Sequence, residues 1–220
     1  MSQLEIFTDA SIRKFPNGRT FGCSGAMDIL NAQDSYTIFQ DVTNNRAELL
    51  AIYMGIRLGH RHLLMDPSLR YMILYSDSQF GIFGLTKWMD AWMDSRDDYG
   101  VMYGSNRSPV KNQDIFACIL IYIARNRIPV KFLHCSGHVR MTSQKMLVKS
   151  NETFKRANGF YLRPEEIYKA AYYNELVDQN TRALLDNVNP DAYPVIQQNT
   201  DYSAYMRANP IPSDYKQYIL

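Results

Sequence analysis

The sequence predicts an α/β domain with a five-stranded mixed sheet flanked by helices. Three strand-like runs open the chain, apolar residues then follow helical spacing from Asn44, and strand-like and helix-like segments alternate afterwards. Of the 220 residues, 46% are hydrophobic and 21% are charged, which is typical of a globular protein with a normal core. The net charge of +2 does not by itself indicate a nucleic-acid partner.

The first part of the chain predicts an antiparallel meander followed by a helix. Strands are expected over residues 4–8, 21–27 and 36–39. The helix begins near Asn44, with Thr43 or Asn44 as its cap, and His60 and His62 are expected at the surface near its end. Residues 71–75 are almost wholly apolar and predict a fourth strand in the centre of the sheet.

The remaining elements predict one main domain and a tail. Helical patterns cover residues 78–92 and 113–124, a fifth strand covers 130–134, and a last helix runs from Pro164 to about Asn187. We expect a main domain over residues 1–189. A basic insertion without a clean period occupies 139–163, before the last helix. Residues 190–220, rich in Pro, Tyr and Asn, predict an irregular C-terminal tail whose tyrosines pack on the domain or contact a partner.

Four acids occupy positions that suit a metal site. Asp9 is expected to end the first strand and Asp77 the fourth, Glu48 lies one turn into the first helix, and Asp178 lies on the last helix. If the first and fourth strands are parallel neighbours, Asp9 and Asp77 meet at one edge of the sheet. Because buried carboxylates repel one another, such a cluster needs a cation, and hard divalent ions such as magnesium prefer oxygen ligands.

The order of the motifs resembles that of type 1 ribonuclease H. Seven segments carry the resemblance: Ile6-Phe7-Thr8-Asp9, Thr43-Asn44-Asn45-Arg46-Ala47-Glu48-Leu49, Ser76-Asp77-Ser78-Gln79, Lys87-Trp88-Met89-Asp90-Ala91-Trp92, Pro109-Val110-Lys111-Asn112-Gln113-Asp114, Ser136-Gly137-His138 and Asn174-Glu175-Leu176-Val177-Asp178. The match covers residues 3–138 and 174–187. It implies an RNase H-like fold and an endonuclease that hydrolyses the RNA strand of RNA–DNA hybrids, leaving 5′-phosphate and 3′-hydroxyl ends.

The resemblance also implies two-metal-ion catalysis with Mg²⁺, or Mn²⁺ as the alternative. Asp9 is implied to contact both ions, Glu48 and Asp77 to complete the ion near the leaving 3′ oxygen, and Asp178 to hold the ion that activates water. His138 is implied to assist proton transfer or product release.

The family's substrate contacts map onto four residues. Asn44, Asn45 and Gln79 match positions that contact the minor groove, where an amide can both donate to and accept from a 2′-hydroxyl. Helix capping is the alternative role for the two asparagines. Trp88 matches a tryptophan of the helix that leads to the basic protrusion of the bacterial members. Arg46 is expected either to contact phosphate or to pair with an acid.

The chain departs from the family pattern in two places. Residues 90–98 hold four aspartates and a single arginine, which makes a poor phosphate clamp and otherwise a solvated acidic face. The insertion is basic, and we predict that it grips the duplex through Lys145, Lys149, Lys155 and Arg156; a loop without substrate contact is the alternative. The length of the insertion also leaves other acids competing with Asp178 for its role, namely Glu165, Glu166, Glu175 and Asp186.

The sequence predicts a cytoplasmic monomer with a hybrid duplex as its partner. Cys23, Cys118 and Cys135 lie in apolar runs, which favours reduced core thiols, and neither a signal peptide nor a membrane-length apolar run is evident. Two other functions remain open. A hybrid-binding module without catalysis is disfavoured by the four acids, and a DNA nuclease or recombinase of the same fold is disfavoured by the three amide residues.

Overall fold

The computed structural model describes residues 2–137, 144–192 and 201–220. The five strands are β1 (Ser2–Lys14), β2 (Thr20–Asp28), β3 (Gln33–Gln40), β4 (Leu69–Ser76) and β5 (Val130–His134). The α-helices are α1 (Asn44–Met65), α2 (Gln79–Phe83), α3 (Met89–Asp94), α4 (Gln113–Asn126), α5 (Gln144–Asn158), α6 (Pro164–Asp186) and α7 (Tyr202–Ala208), and a π-helical segment, Gly84–Trp88, joins α2 to α3. One mixed sheet forms in the order β3-β2-β1-β4-β5, which confirms the predicted fold class.

Strand β1 is longer than predicted, and its two ladders have different lengths. The parallel ladder with β4 ends at the pair Thr8–Ser76, whereas the antiparallel ladder with β2 continues to the pair Lys14–Thr20. Asp9 therefore does not end the strand, as the sequence predicted, but lies inside β1 at the point where β4 stops. The apolar pattern could not show this, because backbone hydrogen bonds to β2 carry the strand through polar residues.

Helices cover both faces of the sheet, and alternate residues of the strands point to the two sides. On one face, α1 and α4 enclose the main apolar cluster, which includes Ile52, Leu74 and Phe116. On the other face, α5 and α6 cover a second cluster, in which the rings of Phe7 and Tyr75 stack with centroids 4.7 Å apart. Strand β4 is thus buried on both faces, as its continuous apolar run predicted.

Helix α5 occupies the region in which the sequence predicted no regular element. Ser150 and Phe154 are its buried residues, and Phe154 packs in the cluster on the α6 face of the sheet. Leu147 also packs against this cluster, so core-facing residues recur at helical spacing, and the prediction that this region has no clean period was wrong. Packing against α6 and β5 stabilises the helix. Helix α6 then begins with Pro164, and the Glu166 carboxylate accepts from the Arg163 backbone N–H at 2.9 Å.

The C-terminal segment, residues 201–220, packs on the domain, which is one of the two alternatives expected for its tyrosines, and it contains the short helix α7, which the sequence did not predict. Met206, Ile211 and Tyr215 join the main apolar cluster. The backbone N–H of Leu220 donates to the Val130 carbonyl at 2.9 Å, so the end of the segment lies along the edge strand β5. Among the described residues, no helix has the length and apolar character needed to cross a bilayer, and all three cysteines are free.

Candidate active site

A cleft of about 920 Å³ opens at the edge of the sheet where β4 ends. It is lined from β1, from the first turns of α1 and α2, and from α6. Among its lining residues are all four acids predicted for the metal site: Asp9, Glu48, Asp77 and Asp178. The fold therefore gathers acids from four separate parts of the chain.

Three of these acids lie close enough to share a cation. One carboxylate oxygen each from Asp9, Glu48 and Asp77 lies within 4.8 Å of the other two. Asp9 and Glu48 retain only 3% and 6% of their exposure, so water compensates little of their mutual repulsion. This is the arrangement that the sequence predicted for a metal site at this edge.

Local structure explains how each acid reaches the cleft. Asp77 directly follows β4, and Glu48 lies in the second turn of α1, whose cap is Thr43, accepting from the Arg46 backbone N–H at 3.4 Å. Gly137 permits the chain to pass close to Asp77, because a Cβ at position 137 would lie 1.8 Å from Asp77 Oδ2. Any side chain there would displace the carboxylate.

Burial and mutual repulsion make these groups poor acids. The pKa of Asp9 rises to about 9, first through burial and then through the negative charges of Asp77 and Asp178. The pKa of Glu48 lies well above its ordinary value, again mainly through burial and then through the other three carboxylates. Burial and repulsion therefore favour the protonated forms of Asp9 and Glu48 in the metal-free protein, and a bound cation would favour the charged forms.

A single buried amide links two of the acids. The Asn174 side chain, 1% exposed on α6, directs Nδ2 toward Asp9 Oδ2 and Asp77 Oδ2 at 3.4 Å each. Its own oxygen accepts from the Cys135 thiol, with Sγ and Oδ1 3.2 Å apart. Because the thiol fixes which way the amide points, Asn174 presents its donors to both carboxylates.

Asp178 is held at the side of this group by polar contacts. Its Oδ1 accepts from the Ser11 hydroxyl at 3.2 Å and from Arg182 Nε at 2.9 Å. Its charge raises the pKa of both Asp9 and Glu48, which places it within electrostatic range of the other acids. The competing acid Asp186 also lines the cleft, but it pairs with Arg13 at the outer rim and is exposed.

The donor set fits a hard divalent cation. Glu48 Oε2 is buried and has no hydrogen-bond partner among the residues that the structure describes. A buried carboxylate oxygen without a donor is costly, and a cation shared with Asp9 and Asp77 would remove that cost. Carboxylates alone supply these ligands, which matches the preference of Mg²⁺ or Mn²⁺ over soft metals.

The predicted substrate-binding residues separate into two groups. Asn44, Asn45, Gln79 and Trp88 are exposed and line the same cleft as the acids. Since Thr43 caps α1, the two asparagine side chains are not needed for that task. The cations of the insertion, Lys145, Lys149, Lys155 and Arg156, are exposed on α5 and are not among the residues that line the cleft.

The remaining predictions have mixed outcomes. Arg46 pairs with an acid, since its Nη2 lies 2.7 Å from Asp114 Oδ2 and its Nη1 lies 3.1 Å from Oδ1. His62 is buried rather than exposed, at 6%, so the surface prediction is wrong. His138 lies outside the described residues, and its assignment stays a prediction. His134, the last residue of β5, has a structural contact, with Nε2 3.1 Å from the Asp77 carbonyl oxygen.

Sequence reasoning included Asn174 in the motif of Asp178, but it missed Arg182 and Cys135 as polar neighbours of this group. Asn174 and Arg182 lie four residues before and after Asp178, so all three share one face of α6. This spacing was visible in the sequence, and it could have shown that the three side chains point at the same site. The thiol of Cys135 could not be found in this way, because its contact with Asn174 depends on the packing of α6 against the sheet.

Comparison with known proteins gives one consistent family. The ribonuclease H family model matches residues 1–154. This chain belongs to the ribonuclease H family.

A ribonuclease HI from Haemophilus influenzae is 34% identical over 126 residues, covering 57% of this chain and 73% of that protein. A ribonuclease H from Hahella chejuensis is 30% identical over 140 residues, covering 63% and 83%. A solved type 1 RNase H with the type 2 active-site motif is 18% identical, with a TM-score of 0.45 over 74% of this chain and 79% of that one.

Membership of the ribonuclease H family confirms the predicted enzyme class, an endonuclease acting on the RNA strand of RNA–DNA hybrids. The matched region contains three of the acids that line the cleft, namely Asp9, Glu48 and Asp77. Asp178 lies beyond residue 154, on α6, so its place in the site comes from the fold.

Proposed function

We propose that this ribonuclease H works by two-metal-ion catalysis, with Mg²⁺ held by Asp9, Glu48, Asp77 and Asp178. The observation that carries the proposal is the approach of three carboxylate oxygens to within 4.8 Å at a buried position. Divalent ions bound there would polarise the scissile phosphate and lower the pKa of the attacking water. The chain's own contribution is to hold the ligands in place before substrate arrives.

The residues around the acids support distinct roles for them. The negative charges of Asp77 and Asp178 both raise the pKa of Asp9, so Asp9 lies within electrostatic range of both. This position supports the predicted role of Asp9 as the ligand common to both ions. The Asn174 amide donates hydrogen bonds to Asp9 and Asp77, and Arg182 Nε donates one to Asp178. These contacts restrict the rotamers of the ligands, as the outer contacts of metal sites commonly do.

Substrate selection is assigned to the amides of the cleft. Asn44, Asn45 and Gln79 present donors and acceptors that suit 2′-hydroxyl groups and base edges in a minor groove. Trp88 offers an apolar ring at the end of the same cleft. We propose cleavage to 5′-phosphate and 3′-hydroxyl ends, with His138 assisting proton transfer or product release.

The activity test uses three labelled duplexes of one sequence: RNA–DNA, RNA–RNA and DNA–DNA. With Mg²⁺, the wild type should cut only the RNA strand of the hybrid, and Asp9→Asn should cut none. Tight hybrid binding without cleavage by the wild type would instead indicate a silent binding module. Cleavage of the all-DNA duplex would indicate a DNA nuclease.

A second test measures metal binding without catalysis. Titrating Mg²⁺ should raise the melting temperature of the wild type, because a ligand that binds only the folded state stabilises it by about 2.7 kcal/mol at a hundredfold excess over its Kd. Glu48→Gln should lose most of this shift, since it removes one ligand and the orphaned oxygen. An equal shift in both proteins would contradict the metal assignment. Repeating the titration with Mn²⁺ decides the preferred ion.

The setting of the enzyme follows the sequence expectations. We propose that residues 1–189 form the catalytic domain and that the protein acts as a cytoplasmic monomer on hybrid duplexes. The three free thiols support a reducing compartment. Analytical ultracentrifugation of the full chain tests the monomer, and a dimer at micromolar concentration would contradict it.

A further inference from the structure

The catalytic cleft is poor in available positive charge, although its substrate is a polyanion. Its described lining holds five acids but only two cations, Arg13 and Arg182. Both cations are engaged, Arg13 with Asp186 and Arg182 with Asp178. Since affinity for a nucleic-acid duplex comes largely from contacts to phosphate, a part of the surface outside the cleft must provide it. This inference rests on the proposed function.

Helix α5 presents cations in a regular row. Lys145, Lys149 and Arg156 are separated by four and seven residues, so they lie along one face of the helix. All three are exposed, whereas Ser150 and Phe154 on the opposite side are buried. The row therefore faces away from the core.

Neighbouring charges on α5 are engaged with a tyrosine. The carboxylate of Glu152 accepts from the Tyr161 hydroxyl at 2.7 Å. The ammonium of Lys155 donates to the same hydroxyl at 3.1 Å and lies 4.3 Å from the centre of the ring. Because Glu152 and Lys155 interact with one group, they balance each other, and the row of Lys145, Lys149 and Arg156 keeps its positive charge.

The end of α5 is fixed to the catalytic edge of the sheet. The Asn158 side chain donates to the His134 carbonyl at 2.8 Å and accepts from the His134 backbone N–H at 2.9 Å. His134 in turn contacts the backbone of Asp77. Arg156 is thus two residues from a double hydrogen bond that links α5 to the strand beside the catalytic acids.

Residues 90–98, which follow the cleft residue Trp88 in the chain, do not provide such charge. Asp90 forms an ion pair with the C-terminal segment, in which Lys216 Nζ lies 2.7 Å from Asp90 Oδ1. Asp97 accepts from the backbone N–H groups of Tyr99 and Val101 and shapes its own turn. This segment is structured by its acids and remains net negative.

We propose that the outer face of α5, formed by Lys145, Lys149 and Arg156, binds backbone phosphates of the substrate duplex beyond the cleft. Charge complementarity and the anchoring of α5 at the catalytic edge support the assignment. The structure does not favour Lys155 as a member of this face, because Tyr161 holds it to one side.

The test compares salt dependence of binding in an Asp9→Asn background, so that the hybrid stays intact. Fluorescence anisotropy of a labelled RNA–DNA hybrid gives Kd from 50 to 200 mM salt. The triple variant Lys145→Gln/Lys149→Gln/Arg156→Gln should bind more weakly. Its log–log slope should be less steep by about 2 to 3, since each lost phosphate contact removes roughly 0.9.

A matched control removes the same charge elsewhere. Arg61, Arg70 and Arg125 are exposed and lie at the end of α1, the start of β4 and the end of α4, at the sheet edge opposite the cleft. Changing all three to Gln should leave the slope close to that of the parent. Circular dichroism of both triple variants checks that the fold is retained.

Two results would overturn the proposal: equal slopes for the α5 variant and its parent, or an equal loss of slope in the control, which would indicate a general effect of net charge. Failure of the wild type to cleave hybrids with Mg²⁺, together with an α5-dependent slope, would remove the proposed function but support the binding face.

Discussion

Among the described residues, carboxylates are buried in two places, at Asp28 and in the cleft, and the two places differ in how many hydrogen-bond donors surround the acids. Asp28, fully buried at the end of β2, accepts from the backbone N–H of Leu30 at 2.9 Å and from the Asn31 side chain at 2.7 Å. His62 Nε2 lies 3.2 Å from Asp28 Oδ2 and 3.1 Å from Gln33 Oε1. Donors from the β2–β3 turn and from α1 thus surround one acid.

Among the residues that the structure describes, Asp9 and Glu48 in the cleft receive fewer donors than Asp28. Asp9, Glu48 and Asp77 lie together, with one amide from Asn174 linking two of them. The backbone N–H of Ala10 adds one bond to Asp9 at 2.7 Å. Burial, and then repulsion from Asp77 and Asp178, therefore outweigh the hydrogen bond from Ala10, and the pKa of Asp9 rises to about 9.

This difference separates a structural acid from a ligand. A buried carboxylate with several donors stabilises the elements that supply the donors, because removing it leaves those donors unpaired. A buried carboxylate that faces other carboxylates weakens the metal-free fold and becomes useful only when a cation is shared. Burial alone does not distinguish the two cases, but the number of donors does.

The largest expected effect comes from removing one acid from each place. Asp9→Asn should lower hybrid cleavage by on the order of a thousandfold, about 4 kcal/mol of barrier, because it removes the residue proposed to contact both metal ions. The same change should leave the metal-free fold as stable or more stable, since it removes repulsion. Cleavage gels and urea unfolding in EDTA measure the two quantities.

Asp28→Asn should show the reverse pattern. Its new amide would meet the donors of Asn31 and His62, at a cost of about 3 kcal/mol of unfolding free energy, while cleavage by the folded fraction persists. Should Asp28→Asn abolish cleavage without loss of stability, or Asp9→Asn unfold the protein, the distinction between the two places would be wrong.

The next effect is the pH dependence of stability without metal. The pKa of Asp9 is about 9 in the folded protein and 3.8 in its ordinary state. Between these values the folded state binds more protons, so the stability of the metal-free protein should fall as pH rises from about 4 to 9. Urea unfolding in EDTA across this range measures the slope.

Asp9→Asn serves as the control for this slope, because it removes one of the groups that titrate. The variant should lose less stability over the range than the wild type, and Mg²⁺ should reduce the slope of the wild type. A metal-free protein that gains stability toward pH 9, with Asp9→Asn behaving identically, would contradict the electrostatic account of the cleft.

A smaller effect is expected at Asn174, the buried amide that links Asp9 and Asp77. Asn174→Ala removes the donor to Asp9 and Asp77, and Mg²⁺ affinity should fall about tenfold, since such outer contacts typically contribute 10–100-fold. Calorimetric titration with Mg²⁺ measures this. Cys135→Ser is the matched control, because a hydroxyl can still donate to Asn174 and should keep the affinity within about twofold. Equal losses in both variants would indicate a packing effect instead.

The smallest effect is expected at the exposed rim. Arg182 is 57% exposed on its side chain, so its pair with Asp178 should contribute less than about 1 kcal/mol to stability. Arg182→Gln should lower the cleavage rate only a few-fold, by loosening Asp178. A rate loss as large as that of Asp9→Asn would place Arg182 among the groups that contact the reacting phosphate.

The sequence determined the acids, the order of elements and the family, because strand and helix periods and short motifs are local properties. It predicted β5 within its observed bounds and α6 from its proline and first-turn acids. It missed α5, whose apolar period stands among many polar residues, and it missed the short helix α7, which contacts with distant elements stabilise. The sequence pattern within a short segment does not show which distant elements will pack against it.

Only the tertiary structure decided which buried polar groups satisfy one another. Three such contacts join residues far apart in the chain. Asp28 pairs with His62, Cys135 is linked through Asn174 to Asp9 and Asp77, and Asn158 makes two hydrogen bonds with His134 of β5. Their energies depend on distance and burial, which appear only when the sheet and helices pack. The acids could therefore be named from sequence, but the buried approach of Asp9, Glu48 and Asp77 to one another, which supports the proposed metal site, required the fold.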